Sequence, residues 1–328
     1  MIAIVNSPEF LGVAEVAAAL AGRFEAGAAV DGHQLLARGV LDGEGTLEQQ
    51  LLRAVVTQVA RLRSEGRSDI VVAYGFREPE PLSRLRRALS DLDDVIYAFR
   101  PTHDETDLAR RHDDAEPEAL SDLLDLHAQW LAAQQEGARR GDMGFEIRCP
   151  CDATEAAAAI WDDIHEPVEL VPHDPGWPGL FAGERQRIAG ALGGLALALE
   201  HIGSTAVAGM EAKPIIDILV TLAALRQAEA CIEPLAGLGY AFVDYPQNRD
   251  RRFFRRGKPR SHHIQLVEQG SEAHRAYLCF RDALRADPAL REEYGALKRT
   301  ACGELSDERA AYGERKTELV RRVLAECC

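Results

Sequence analysis

Long apolar runs are missing from this chain. Its longest apolar stretches, residues 188–199 and 214–225, are too short or carry a charge. Neither reaches the roughly 20 residues of a membrane-spanning helix, so no membrane partner is expected. Positive charge is also in deficit: 38 Lys and Arg stand against 53 Asp and Glu, a net charge of -15. That balance opposes broad attraction to nucleic acid or anionic lipid and argues against nucleic acid as a partner. Seven cysteines, an odd number without regular spacing, exclude a disulfide framework. The start Met1-Ile2-Ala3-Ile4-Val5 lacks the basic flank of a signal peptide, and with the cysteine usage it points to the cytoplasm. Cys149-Pro150-Cys151 supplies too few ligands for a closed zinc site; it reads as two ordinary thiols, as does Cys327-Cys328. Internal repeats and low-complexity tracts are lacking too.

What is present is 328 residues, 46% of them hydrophobic, enough for about two domains at the usual length per domain. From residue 1 to about 164, short apolar runs alternate with Ala/Leu/Arg-rich helical patterns, the order of parallel strands joined by crossover helices. Strands are expected at 2–5, 69–73, 95–99 and 144–148, and helices at 13–23, 81–90, 118–136 and 154–164. His165-Glu166-Pro167 breaks the pattern, and Pro172, Pro175, Gly176 and Pro178 follow, so the domains are placed at 1–165 and 166–328. The second should carry a helix at 180–192, strands at 198–202 and 215–221, a helix at 223–238, and a hairpin of 252–256 with 262–267 before further helices. The fold class is α/β, a parallel-sheet domain followed by an α+β domain with C-terminal helices.

In the first domain the loop after the opening strand, Asn6-Ser7-Pro8-Glu9-Phe10-Leu11-Gly12-Val13, occupies the place of a kinase phosphate loop. Such a loop needs glycines, a Lys for the phosphates and a hydroxyl for Mg²⁺. Gly12 and Val13 stand at the Lys and hydroxyl positions, and Glu9 adds negative charge. With residues 71–76 and 107–114, the domain resembles small nucleoside- and shikimate-kinase-like proteins, but as a degenerate member without phosphoryl transfer of its own.

The second domain carries Glu200-His201-Ile202-Gly203-Ser204-Thr205-Ala206-Val207 and then Lys213-Pro214-Ile215-Ile216-Asp217-Ile218-Leu219-Val220. A strand ending in Gly-Ser lets the backbone approach a triphosphate, and an Asp on a neighbouring strand can hold the Mg²⁺ that neutralises it. Gly203, Ser204 and Asp217 fit these roles, with Lys213 beside them. At these residues the chain resembles the GrpB family, a branch of the nucleotidyltransferase superfamily. The resemblance extends to residues 168–178, to Phe280-Arg281-Asp282-Ala283-Leu284-Arg285, and to the pairs Tyr294 with Lys298 and Tyr312 with Lys316. A kinase-like domain before a GrpB-like one also resembles some actinobacterial dephospho-CoA kinases.

A two-metal nucleotidyltransferase site carries two carboxylates one residue apart, because strand period two aims both at the same metals. Here the second position is Leu219, as the resemblance implies for many GrpB members. His263 and Gln265 share a face on a later strand, where the family tends to carry His twice. His263 can serve as proton carrier or phosphate contact, with a structural surface role about as well supported. Residues 251–260, Arg-Arg-Phe-Phe-Arg-Arg-Gly-Lys-Pro-Arg, form a basic hairpin whose alternation sets Arg252 and Arg256 on one face and Arg251 and Arg255 on the other. Arg252 and Arg255 are taken as the phosphate-binding arginines, since guanidinium forks suit phosphate oxygens. Lys298 and Lys316, each four residues after a Tyr, can frame a base and its phosphates from one helix face.

The expected function is transfer of a nucleotidyl or phosphoryl group from a nucleoside triphosphate, ATP by preference, with Mg²⁺, to a small-molecule acceptor. Asp217 would hold metal and His263 would move the proton. The alternative is a non-catalytic, nucleotide-sensing pseudoenzyme. A homo-oligomer is compatible with either.

Overall fold

The computed structural model describes residues 1–8, 11–37, 45–93, 95–103, 105–112, 115–148, 152–245, 247–305 and 315–327. Glu9, Tyr312 and Cys149-Pro150-Cys151 lie outside them. The chain divides into two compact units, Met1–Asp162 with Asp244–Gln247, and Asp163–Val243 with Asn248–Cys328.

The first unit runs β1 (Ile2–Asn6), α1 (Val13–Ala21), β2 (Gly27–Asp31), α2 (Gly32–Ala37), α3 (Leu47–Ser64), β3 (Asp69–Tyr74) and α4 (Pro79–Leu89). It continues through β4 (Ile96–Thr102), α5 (Glu105–Arg111), α6 (Pro117–Arg140), β5 (Phe145–Arg148) and α7 (Ala153–Ile164). Its sheet has the order β2-β3-β1-β4-β5 and every pairing is parallel. A parallel sheet needs crossovers that cover both faces, so its central strand should be apolar throughout; β1, Ile-Ala-Ile-Val-Asn, is buried at all five positions. The kinase-like parallel domain expected from the sequence is therefore present. Sequence reading missed β2 and α3. The former is Gly-Ala-Ala-Val-Asp, poor in the branched and aromatic residues that mark strands. The latter begins with a capping box of Thr46 and Gln49 and buries Leu51, Val55 and Val59 at four-residue spacing, the stripe of an amphipathic helix.

The loop after β1 sits where an open α/β sheet binds ligands, outside the carboxyl end of a central strand. Here protein fills that place. Asn6, fully buried, donates from Nδ2 to Met143 O at 2.9 Å and accepts the Phe76 N–H at 2.7 Å. Gln134, equally buried, donates to Phe76 O at 2.5 Å. A Cβ on Gly75 would meet Ser7 O and the Trp130 ring at 3.0 Å. Gly12, at φ 69°, leads into α1 with no side-chain cap. The side-chain amide at the end of β1 is thus satisfied by protein, and the loop after it lacks the lysine.

The second unit runs α8 (Trp177–Leu192), β6 (Ala198–Ile202), β7 (Ile216–Leu222), α9 (Glu229–Gly237), β8 (Ala241–Val243), β9 (Arg251–Arg256), β10 (His262–Glu268), α10 (Glu272–Ala286), α11 (Pro288–Leu305) and α12 (Thr317–Cys327). Its mixed sheet, β6-β7-β10-β9-β8, pairs β7 with β10 in parallel and its other neighbours antiparallel. One face, with Ile216, Ile218, Val220, Ile264, Leu266 and Phe254, packs on Trp177, Ile188, Leu192, Ile232 and Leu235 of α8 and α9. On the opposite face, Leu219 and Val267 join Ile202 and the α10 residues Ala273 and Tyr277. With both faces covered, β7 reads Ile-Asp-Ile-Leu-Val-Thr-Leu. Asp217 breaks that apolar run, and a carboxylate in such a strand calls for a partner or a role.

Cys231 and Cys302 are free thiols, whereas Cys279 is disulfide-bonded. Among the described residues no helix is long and apolar enough to cross a membrane.

Candidate functional site

The end of β6 and the start of β7 are paired so that Ile202 lies opposite Asp217. The chain then leaves the sheet through Gly203, at φ +70°, where a Cβ would stand 2.4 Å from Asp217 Oδ2. Both the left-handed backbone and the close approach require glycine. Ser204–Ala206 forms one 3₁₀ turn, tied down from beneath. Thr205 Oγ1 donates to Ile215 O at 3.1 Å and lies 3.0 Å from His201 Nε2. Since the hydroxyl has one proton to give, His201 Nε2 carries the hydrogen of the second bond. His201 is stacked on Phe181 at 4.8 Å, and burial pushes its pKa down to about 4, so the imidazole is neutral.

β10 lies parallel to β7 with His263 opposite Asp217 and Gln265 opposite Leu219. His263 Nδ1 is 3.1 Å from Asp217 Oδ1, with the side chains 19% and 33% exposed. A carboxylate accepts, so Nδ1 donates; Nε2 and Gln265 Oε1 are buried without a hydrogen-bond partner among the described residues. Leu219 is fully buried in the apolar cluster beneath α10, which closes the position of a second carboxylate.

The C-terminal helices bring cations to the same place. Lys298 on α11 is 2% exposed; its Nζ donates to Ser204 Oγ at 3.2 Å and to Glu211 O, and lies 5.2 Å from the Tyr294 ring centroid. Burial first, and then the neighbouring Lys316 charge, lower its pKa to about 8. Burial also lowers the Lys316 pKa, against the pull of Asp217. On α10, burial raises the Tyr277 hydroxyl to about 12, a shift opposed by the Arg251 charge. Arg281 donates to His201 O at 3.2 Å and pairs with Asp282 at 2.8 Å.

These groups line a cavity of ≈ 620 Å³, within the range of small-molecule sites. Of the residues expected in the site, Gly203, Ser204, Lys213, Asp217, His263, Lys298 and Lys316 line it. Arg252 does not. It lies opposite Leu266 in the β9–β10 register, on the face turned to α8 and α9, and bonds Asn248 O and Arg251 O. Arg255 shares the face of His263 but is buried against Asp163 at 3.0 Å. Arg251, which strand alternation sets on the face of Arg255 and not of Arg252, is the arginine of the hairpin that lines the cavity. Tyr277 and Phe280 also line it; Tyr277 was hidden in the sequence as an ordinary apolar position of an amphipathic helix, and Phe280 stood in the resembling motif without a site role. Among the described residues no group of three or more His, Cys, Asp and Glu could hold a metal. The donor set therefore does not fit a pair of ions; a single Mg²⁺ fits Asp217 with a ligand's phosphate oxygens completing its shell.

The family model "GrpB protein" matches residues 167–326. The chain is 40% identical over 162 residues to a UPF0157 protein of Pseudomonas aeruginosa, covering 48% of this chain and 66% of that one. It is 30% identical over 165 residues to the glutamate-rich protein GrpB of Alkalihalophilus pseudofirmus, covering 48% of this chain and 95% of the relative. A dephospho-CoA kinase of Mycolicibacterium paratuberculosis is 29% identical over 194 residues, 46% of this chain and 47% of the kinase. The crystal structure of a conserved protein GrpB from Enterococcus faecalis superposes with a TM-score of 0.46 at 28% identity, over 48% of this chain and 96% of that one. The chain thus spans about two thirds of the Pseudomonas relative and about half of the kinase.

Proposed function

The chain belongs to the GrpB family through its C-terminal half, and from that premise we propose that its cavity binds a nucleoside triphosphate, ATP by preference, and transfers a nucleotidyl or phosphoryl group to a small-molecule acceptor. The observation that carries this reading is the convergence of Lys213, Lys316 and Arg251 on the cavity that holds the Gly203 bend and the Asp217–His263 pair. Cations that are partly desolvated attract phosphate more strongly than the same groups in water. Gly203 and Ser204 bring backbone close to the phosphates. Asp217 would hold Mg²⁺, which when bound neutralises charge on the phosphate oxygens. The same carboxylate orients the His263 ring, leaving Nε2, which has no protein partner among the described residues, to take a proton from the acceptor's attacking hydroxyl.

A second reading, nucleotide sensing without turnover, is favoured by one observation: the position of the second carboxylate is Leu219, packed into the apolar cluster beneath α10. Titration with ATP, with and without Mg²⁺, on wild type and Asp217→Asn, followed by turnover assays with candidate acceptors, separates the two. Metal-dependent binding with turnover supports the transferase; metal-dependent binding lost in Asn, without turnover, supports the sensor; no binding removes both.

A further inference from the structure

Lys298 is a buried amine without an acidic partner at bonding distance among the described residues. It is 2% exposed and spends its hydrogen bonds on a backbone carbonyl, Glu211 O, and on one hydroxyl, Ser204 Oγ at 3.2 Å. The charged and titratable groups around it are Lys316 ahead of α12, Glu211 on the loop before β7, and Arg299 and Tyr294 on its own helix. Glu211 pairs through its carboxylate with Arg299 and still pulls the Lys298 pKa upward, but less than burial and the like charge of Lys316 push it down. A lysine desolvated beside a second cation is held ready to lose its proton, and a serine within its reach is the arrangement of a Ser–Lys nucleophile pair. Ser204 heads the 3₁₀ turn at the cavity wall, and the His201–Thr205–Ile215 hydrogen bonds hold that turn.

We propose that Ser204 is a nucleophile toward phosphorus, with Lys298 as the base that takes its proton. In the step, Ser204 Oγ attacks phosphorus, the bond from phosphorus to the leaving group breaks with its electron pair, and the hydroxyl proton passes to Lys298 Nζ. The cation-lined cavity selects an anionic phosphoryl group as electrophile, and in that selection the inference rests on the reading above. The Ser204–Lys298 pair itself does not depend on a nucleotide.

A fluorophosphonate tests the pair directly. Attack forms the Oγ–P bond, breaks P–F and releases fluoride, and the adduct is read by intact mass and peptide mapping of the full chain. The expected result is a single adduct on Ser204, formed at a rate that climbs with pH and levels above about 8, where Lys298 is neutral. Ser204→Ala should abolish the adduct. Lys298→Met and Lys298→Arg should each slow it by about a hundredfold, the scale of a lost general base. Lys316→Met, by removing the like charge, should move the midpoint of the pH profile upward by roughly one unit. If Lys298→Met does not fold, as judged by thermal melting, the wild-type profile and Lys316→Met decide. Absence of a Ser204 adduct, a flat wild-type pH profile, or a Lys298→Met protein that reacts as fast as wild type overturns the proposal. Since the reagent carries no nucleotide, its outcome stands apart from ATP titration: ATP bound without Ser204 reactivity removes the nucleophile and keeps the nucleotide site.

Discussion

Each unit carries a bend at the end of a strand, central β1 in the first and edge β6 in the second, and the two bends have opposite fates. In the first unit, Asn6 at the end of β1 turns inward, and its amide is spent on Met143 O and the Phe76 N–H, with Gln134 completing the network. In the second, Gly203 after β6 turns outward; Asp217 stands one third exposed beside it, and Lys298, Lys316 and Lys213 line the same cavity. The difference lies in what satisfies the polar groups at the strand end. A fully buried amide is satisfied by protein and leaves nothing for a ligand to do. A carboxylate with one histidine partner, and a histidine with one nitrogen unpartnered among the described residues, leave bonds for a ligand to complete.

The sharpest way to break the comparison is to force the open bend toward the full two-carboxylate pattern. Leu219→Asp would place a carboxylate at the expected spacing from Asp217, yet Leu219 is fully buried among Ile202, Val267, Ala273 and Tyr277. The change should cost about 3–5 kcal/mol of unfolding free energy, the scale of an uncompensated buried charge, and should not raise turnover. A variant as stable as wild type, measured by chemical denaturation, would show that this face is wetter than its packing implies. Next in size is Asp217→Asn, which keeps the shape and removes the charge; metal-dependent ATP affinity should fall by about a hundredfold, with little change in melting temperature.

Much of this contrast was legible beforehand. The apolar runs of β1 and β3 gave the parallel domain, because a central parallel strand has no polar face to confuse the pattern. Asp217 stood out because an acid interrupts the otherwise apolar β7, Gly203 and Ser204 because a Gly-Ser pair follows β6, and His263 because it shares a face with Gln265 on β10. Two things were not legible. The face of the arginine ribbon depends on the β9–β10 register, and a one-residue choice exchanges Arg251 for Arg252. The sealing of the first loop depends on Gln134 and Met143, more than a hundred residues from Asn6 in sequence, and no local pattern encodes such a partner.

An effect of comparable size sharpens the sealed side. Asn6→Ala strips Met143 O of its donor and the Phe76 N–H of its acceptor. Each buried group left unpaired costs about 1–3 kcal/mol, and ATP binding measured on the same protein should stay at the wild-type value. An Asn6→Ala chain that loses ATP affinity while still folded would place nucleotide in the first unit and reverse the comparison.

The smallest effect expected is a pH dependence that separates support of the open bend from its chemistry. Burial lowers the His201 pKa from 6.5 to about 4, and does the same for His262. In the unfolded chain each imidazole takes a proton near 6.5, while in the folded chain each resists until about 4. Between those values the unfolded state binds more protons, so stability is fully present above 6.5 and falls as pH drops toward 4. His201→Gln can still donate to Thr205 Oγ1 but does not titrate. The variant should therefore flatten part of the acid limb of a stability-against-pH curve and leave the part owed to His262. If the acid limb is unchanged, His201 is already solvated in the native state, and the turn at Ser204 is held by the Thr205 bond to Ile215 O alone.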